Sequence, residues 1–202
     1  MVSGNILLGN KQKIAGCVLI DIGSDTTSSI VFENNLPISL QVFPIGGMDI
    51  TKDIALCLKI SLEEAESIKM GSVIGGDYSK KKIDDIIEAR LDDMFELVEN
   101  QLKRLKRNEL LPAGVIITGG SSAINNIEEI ARKQLKLPAK VGPIDYSFNN
   151  KFKVRDNSWY TALSLALSSN DEYSNDASNS SISGNFKEVK SFFKSILSQL
   201  LP

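Results

Sequence analysis

The chain contains no histidine, which removes Ser-His and Cys-His nucleophile pairs and the commonest zinc ligand. Any chemistry then rests on carboxylates, backbone amides and a bound cation. Cysteine is almost as scarce. Cys17 sits in an apolar run and Cys57 in a helical pattern, so both are expected as buried, reduced thiols, with neither a disulfide framework nor a metal site. No run approaches the roughly 18 consecutive apolar residues of a membrane-spanning helix, and the N-terminus lacks a basic region followed by an apolar stretch. A cytosolic chain is the expectation. Nor is positive charge in excess: 23 Lys and Arg stand against 25 Asp and Glu, a formal charge of -2. Nucleic acid is therefore not an expected partner.

What is present is enough for one core with appendages: 202 residues, 42% of them hydrophobic and 24% charged. Short apolar or alternating runs at 17–20, 29–32 and 39–43, separated by Gly-Ser-Asp and Glu-Asn-Asn-Leu-Pro turns, predict three strands of an antiparallel meander. Helical spacing follows at 49–58 and 62–70, with Ser61 as N-cap of the second helix. Ile83, Ile87, Leu91, Met94, Val98, Leu102 and Leu105 recur every three or four residues, so 82–107 reads as one long helix ended before Pro112. A strand at 115–118, a helix at 123–135, a short strand at 139–141 and a helix at 158–167 complete the body.

From 168 to 184 the sequence turns to Ser, Asn and Asp, whose burial cannot offset the entropy of ordering, and this predicts a flexible linker. Periodicity returns at 185–202. On a helical wheel Phe186, Val189, Phe192, Phe193, Ile196, Leu197, Leu200 and Leu201 form one face, and Lys187, Glu188, Lys194 and three serines the other. Such a helix, about 25 Å long, is too short to span a bilayer. It can lie in the interface with its lysines toward anionic lipid, or pack on a protein core; the linker favours the membrane.

Two motifs carry chemistry. In Asp21-Ile-Gly-Ser-Asp-Thr-Thr27 a strand feeds a tight turn whose amides and Thr26 or Thr27 hydroxyl can face a phosphate, while Asp21 holds a hydrated cation. A hairpin merely rich in Gly, Ser and Asp is the alternative. In Thr118-Gly-Gly-Ser-Ser122 a strand enters two glycines and then a helix, which lets backbone approach a flat or anionic ligand closely.

The order of these motifs, with Glu-Ala-Glu-Ser-Ile-Lys69 between them, resembles the second half of the actin, sugar-kinase and heat-shock-chaperone superfamily. Within it, Gly16-Cys-Val-Leu-Ile-Asp-Ile-Gly23, Pro44-Ile-Gly-Gly47, Asp49-Ile-Thr-Lys-Asp-Ile-Ala55, Leu62-Glu-Glu-Ala-Glu-Ser-Ile-Lys69, Ile87-Glu-Ala-Arg90, Leu111-Pro-Ala-Gly-Val-Ile-Ile-Thr-Gly-Gly120 and Thr161-Ala-Leu163 resemble the bacterial cell-division family FtsA. The resemblance implies an α/β fold: an actin-like (ribonuclease H-like) ATPase second lobe over 16–167. A small α-rich subdomain is inserted at about 48–106, and 1–15 is the remnant of a connecting helix. It implies ATP with Mg2+ as cofactor. The phosphates would meet Asp21, Gly23, Thr26, Thr27, Gly46 and Gly47, and the ribose and adenine would meet Glu66, Lys69, Gly119 and Gly120. Without it, Glu66 and Lys69 read as an ordinary ion pair on a solvated helix face.

The resemblance also implies capture of the C-terminal peptide of the filament-forming protein FtsZ by Arg90, with Asp93 on the same face, and a C-terminal membrane-targeting helix. The expected function is to tether FtsZ filaments to the inner face of the cytoplasmic membrane at the division septum, with self-association as a further partner expectation. Departures matter too. Ser24 and Asp25 replace glycines of the family's turn, and an Asp25 carboxylate beside a triphosphate is repulsive unless a cation bridges them. Ser121 and Ser164 replace further glycines. The family's first lobe has no counterpart here, so ATP hydrolysis is not expected. Two alternatives stay open: the ATP-binding lobe of an actin-fold ATPase that needs a separate first lobe, and a PilM-like pilus-assembly protein.

Overall fold

The computed structural model describes residues 7–71, 78–142, 146–148, 152–154, 159, 161–162 and 164–165. They belong to a compact unit that extends to Leu165. A short helix α1 (Asn10–Ala15) leads into strands β1 (Cys17–Ile22), β2 (Thr27–Glu33) and β3 (Leu36–Phe43). Helices α2 (Gly47–Leu58), α3 (Leu62–Lys69) and α4 (Lys80–Arg104) follow, then β4 (Val115–Thr118), a 3-10 turn (Gly120–Ala123), α5 (Ile127–Leu135) and β5 (Ala139–Val141). A separate hairpin pairs β6 (Tyr146–Phe148) with β7 (Phe152–Val154).

The main sheet has five strands in the order β3-β2-β1-β4-β5. β1, β2 and β3 form the expected antiparallel meander, while β4 runs parallel to β1 and β5 parallel to β4. Because side chains alternate along a strand, β1 feeds two cores at once. Val18, Ile20 and Ile22 join Ile54, Leu91, Phe95, Val98 and Ile117 on one face. Cys17 and Leu19 join Leu7, Leu8, Ile30, Phe32 and Ile116 on the other. A strand buried on both faces has to read as a continuous apolar run, and β1 does from Cys17 to Ile20.

α4 is the largest single contributor to the first core. Its buried stripe comprises Ile87, Leu91, Met94, Phe95, Val98, Gln101 and Leu102. Gln101 is the polar member of that stripe: it accepts a short hydrogen bond from Ser29 Oγ and donates Nε2 to Ser39 Oγ at 2.9 Å, linking α4 to β2 and β3.

Several boundaries differ from expectation for local reasons. The predicted helix at 123–135 is a 3-10 turn followed by α5, because Asn126 adopts a left-handed backbone at φ 61 that interrupts any continuous helix. α4 spans Lys80–Arg104 rather than 82–107, and Lys106 turns left-handed two residues beyond its end. β3 begins at Leu36, because the left-handed pair Asn34 and Asn35 closes a tighter turn than the sequence suggested. Cys57 is exposed, contrary to the expectation of two buried thiols: in the last turn of α2 Ala55 and Leu58 pack against the core, and Leu56 and Cys57 are left exposed between them. Cys17 is buried, and burial pushes its thiol up to about 11. Ser61 caps α3 as expected, its Oγ accepting from Glu64 N at 3.2 Å.

Candidate functional site

The phosphate hairpin, the Gly46-Gly47 turn and the Gly119-Gly120 turn meet at the C-terminal ends of β1 and β4. Gly47 N donates to Gly23 O at 2.9 Å and Met48 N to Ser24 O at 2.8 Å. The two backbones approach so closely that a Cβ at Gly46 would lie 2.4 Å from Ser24 O. On the other side, a Cβ at Gly119 would lie 2.4 Å from Ile22 O and 2.5 Å from Asp21 Oδ1, and its φ of 90 already excludes most side chains. These two glycines are fixed by the packing of one turn on another, whatever ligand the junction takes.

Packing assigns the hydroxyls in this junction. Thr27 is buried and donates Oγ1 to Ile45 O at 2.8 Å, so of the two candidate threonines only Thr26 is exposed at the hairpin. Asp21 Oδ2 accepts from Thr161 Oγ1 at 2.9 Å. Ser121 donates Oγ to Gly23 O at 3.3 Å. Thr118 Oγ1 is buried with no hydrogen-bond partner, beside Gly119. Among the described residues, no backbone hydrogen bond of the turn uses the amide of Ser24 or Asp25. The exposed Asp25 carboxylate stands at the hairpin tip.

Glu66 and Lys69 pair at 2.7 Å along α3, but the lysine does more than decorate a solvated face. Its side chain is 6% exposed. Nζ donates to Gly47 O at 3.1 Å and Thr51 Oγ1 at 2.9 Å, so with Glu66 all three ammonium donors are committed. Burial alone would raise the Glu66 carboxyl; hydrogen bonds from Lys69 and Thr51, and the lysine's charge, outweigh it and hold the group below its ordinary value. Lys69 therefore clamps the glycine turn to α3.

A cleft of about 600 Å³ opens beside this clamp, between the end of α3, the start of α4 and the turn into α5. Ile68, Lys69, Tyr78, Ile83, Asn125 and Lys133 contribute to its lining. Gly119 and Gly120 are not part of that wall; the following residues Ile124 to Asn126 form it instead.

Arg90 lies on α4 facing α2. It grips Asp53 with two parallel bonds, Nε to Oδ2 at 2.6 Å and Nη2 to Oδ1 at 3.0 Å, and reaches Asp93 Oδ2 from Nη1 at 3.3 Å. The bond to Asp53, reinforced by the charges of Asp53, Asp93 and Asp49, raises the guanidinium further above its ordinary range. The expected neighbour Asp93 is present, but it is the weaker of the two partners and 58% exposed.

The profile of the family "Cell division protein FtsA" matches residues 18–164. The chain belongs to the FtsA family. It is 31% identical to the Cell division protein FtsA of Bacillus subtilis over 82% of this chain and 41% of that protein. Identity to the FtsA of Pseudomonas aeruginosa is 30%, over 80% of this chain and 43% of that protein. The chain thus spans less than half the length of the curated FtsA relatives it matches. Among solved structures, it is similar to MreB5 of Spiroplasma citri at a TM-score of 0.67 and 15% identity, over 88% of this chain and 60% of that one. It is also similar to the PilM-PilN type IV pilus biogenesis complex at 0.64 and 20% identity, over 82% and 50% respectively. The fold is a single actin-like lobe, as the FtsA resemblance implied.

FtsA motifs located Lys69 and Arg90, but not what holds them. Thr51 and Asp53 escaped notice because their roles arise where α2 meets α3 and α4, and nothing local in Asp49-Ile-Thr-Lys-Asp announces a tertiary partner. Asn125 and Asn126 had a local signal, since paired asparagines favour a turn, but it was absorbed into a predicted helix. The linker and the tail, with Phe186, Val189, Phe192, Phe193, Ile196, Leu197 and Leu200, lie outside the described residues. Among those described, no helix is long and apolar enough to cross a membrane.

Proposed function

We propose that this chain is the partner-binding lobe of an FtsA-type division protein, capturing the acidic C-terminal peptide of FtsZ on the face shared by α2 and α4. The observation that carries this reading is the FtsA match, which spans residues 18–164 and so includes α4, the helix that bears Arg90. Arg90 supplies the planar fork that carboxylates prefer. The 185–202 segment would hold the lobe at the inner face of the cytoplasmic membrane, its phenylalanines among the acyl chains and its lysines at anionic headgroups. Many copies along a filament would multiply a weak single contact through effective concentration.

The lobe is a binding module rather than a catalyst in this reading. Thr27 and Lys69 are spent on internal bonds, and Asp25 sets a negative charge at the hairpin tip. The residues fit a nucleotide in part. The amides of Ser24 and Asp25 would hold phosphate, and Asp21 and Thr26 would face a Mg2+-bound phosphate tail. The cleft beside Lys69 favours a second reading, an ATP-binding lobe active only with a separate first lobe. MreB5 of Spiroplasma citri, similar in fold, is a structure bound to ADP.

Fluorescence polarisation with a labelled FtsZ C-terminal peptide tests the first reading: the full chain binds and Arg90→Glu does not. An isotherm unchanged by Arg90→Glu removes the peptide site from this face. Calorimetry with Mg-ATP tests the second, and turnover by the chain alone overturns the non-catalytic assignment.

A further inference from the structure

We infer that Asp53 is an internal ligand of Arg90, a carboxylate that occupies the partner's position and that an acidic peptide must displace. The inference rests on the peptide reading above and adds the residue that sets the affinity of the site.

A guanidinium offers a carboxylate two edges, Nε with Nη2 and Nη1 with Nη2. Asp53 takes the first edge completely, at 2.6 and 3.0 Å, and Asp93 faces the second at 3.3 Å. Asp49 stands close enough to add its field. Its own charge is already answered: Gly46 N donates to its Oδ2 at 3.0 Å and Lys52 Nζ to its Oδ1 at 3.1 Å. Gly46's hydrogen bond, with Lys52 and the charge of Arg90, holds the Asp49 carboxyl below its ordinary value against the effect of burial. An arriving acidic peptide therefore meets an arginine whose better edge is filled and whose surroundings are negative.

The two acids differ in how they compete. Asp93 lies three residues along the same helix and is 58% exposed, so water replaces its contact readily. Asp53 comes from α2, is 28% exposed, and holds Arg90, itself 30% exposed, in the paired geometry a partner carboxylate would adopt. Displacing Asp53 also frees α2 from α4 at that point, so occupancy of the site and the seating of α2 are coupled.

Competition and support predict opposite signs. If Asp53 competes, Asp53→Asn lowers the melting temperature slightly, because a bond between α2 and α4 is weakened, and tightens peptide binding. If Asp53 merely positions Arg90, both stability and affinity fall. The expected gain is about two- to fivefold in Kd, the size of a partly exposed paired ion pair expressed as an equilibrium constant. Asp93→Asn, which removes a similar charge without vacating the paired edge, should change Kd by less than about twofold.

The experiment is polarisation of the labelled FtsZ C-terminal peptide against the full chain as wild type, Asp53→Asn, Asp93→Asn and Arg90→Glu. Tightening by Asp53→Asn alone supports the inference, as does binding seen in Asp53→Asn when wild type shows none. Equal gains from both aspartate variants reduce the effect to general charge and overturn it. Unchanged or weaker binding by Asp53→Asn, with Arg90→Glu still abolishing binding, overturns the inference and leaves the peptide reading standing. No effect of Arg90→Glu on a wild-type chain that does bind, or no binding by any variant, removes the peptide reading itself. Should the Asn variant melt below the assay temperature, Asp53→Ser gives the same comparison.

Discussion

Replacing Lys69 by Met separates a structural clamp from a residue kept only for a ligand. The side chain is buried, and its ammonium holds Gly47 O at 3.1 Å, Thr51 Oγ1 at 2.9 Å and Glu66 at 2.7 Å. Met keeps most of the apolar stem and removes all three donors. A hydrogen bond to a charged group contributes about 1.5–3 kcal/mol. The loss is offset in two ways: Glu66 is 44% exposed and rehydrates, and the cost of burying an ammonium disappears. A net destabilisation of about 2 kcal/mol follows, and at about 2–4 °C per kcal/mol for a chain of this size the melting temperature falls by about 4–8 °C. The assay is thermal unfolding followed by circular dichroism, without nucleotide. An unchanged melting temperature would refute the clamp and return Lys69 to a role in ligand binding alone.

Other consequences are as direct. Gly119→Ala meets Ile22 O and Asp21 Oδ1 and forces a positive φ, so it should cost at least about 2 kcal/mol in chemical denaturation; a variant as stable as the parent would contradict the junction described. Asp92 has a buried Oδ1 with no partner, and burial, opposed by Lys133 and reinforced by Glu88 and Asp93, raises its carboxyl above the ordinary value. A raised folded-state value means that the native state binds the proton more tightly, so the charge is a cost above that value and none below the unfolded value of 3.8. Asp92→Asn should therefore raise the melting temperature at pH 7, with no gain at pH 3; a gain that persists in acid would contradict the assignment. A thiol reagent should label Cys57 rapidly and Cys17 only on unfolding, since one is exposed and the other buried with its thiol at about 11; equal labelling rates would place α2 differently.

The sequence was most legible where one physical rule acted alone. β1 reads as a strand because both its faces are buried, and α4 because a single stripe of seven positions enters the core. The three glycine-bearing turns were legible as turns, but their meeting was not, since Gly46 on Ser24 and Gly119 on Ile22 are contacts between segments far apart in the chain. The two expected hydroxyl donors of the hairpin divide for the same reason: Thr27 is claimed by Ile45 O, a group that no local pattern brings near. Cys57 shows the limit of periodicity, which locates the buried face of a helix but not which residues at the edge of that face are covered. Arg90 was found by its resemblance to a family motif, and its true neighbour Asp53, thirty-seven residues earlier, was hidden because only the packing of α2 on α4 places the two together.

We propose that this lobe joins FtsZ to a lipid surface through two separate elements. Co-sedimentation of FtsZ with anionic liposomes in the presence of the full chain tests it most directly. FtsZ should pellet with wild type, fail to pellet with Arg90→Glu although that variant itself still pellets, and fail with Phe193→Asp because the lobe stays in solution. FtsZ recruitment that survives Arg90→Glu, or lipid binding that survives Phe193→Asp, would contradict the account.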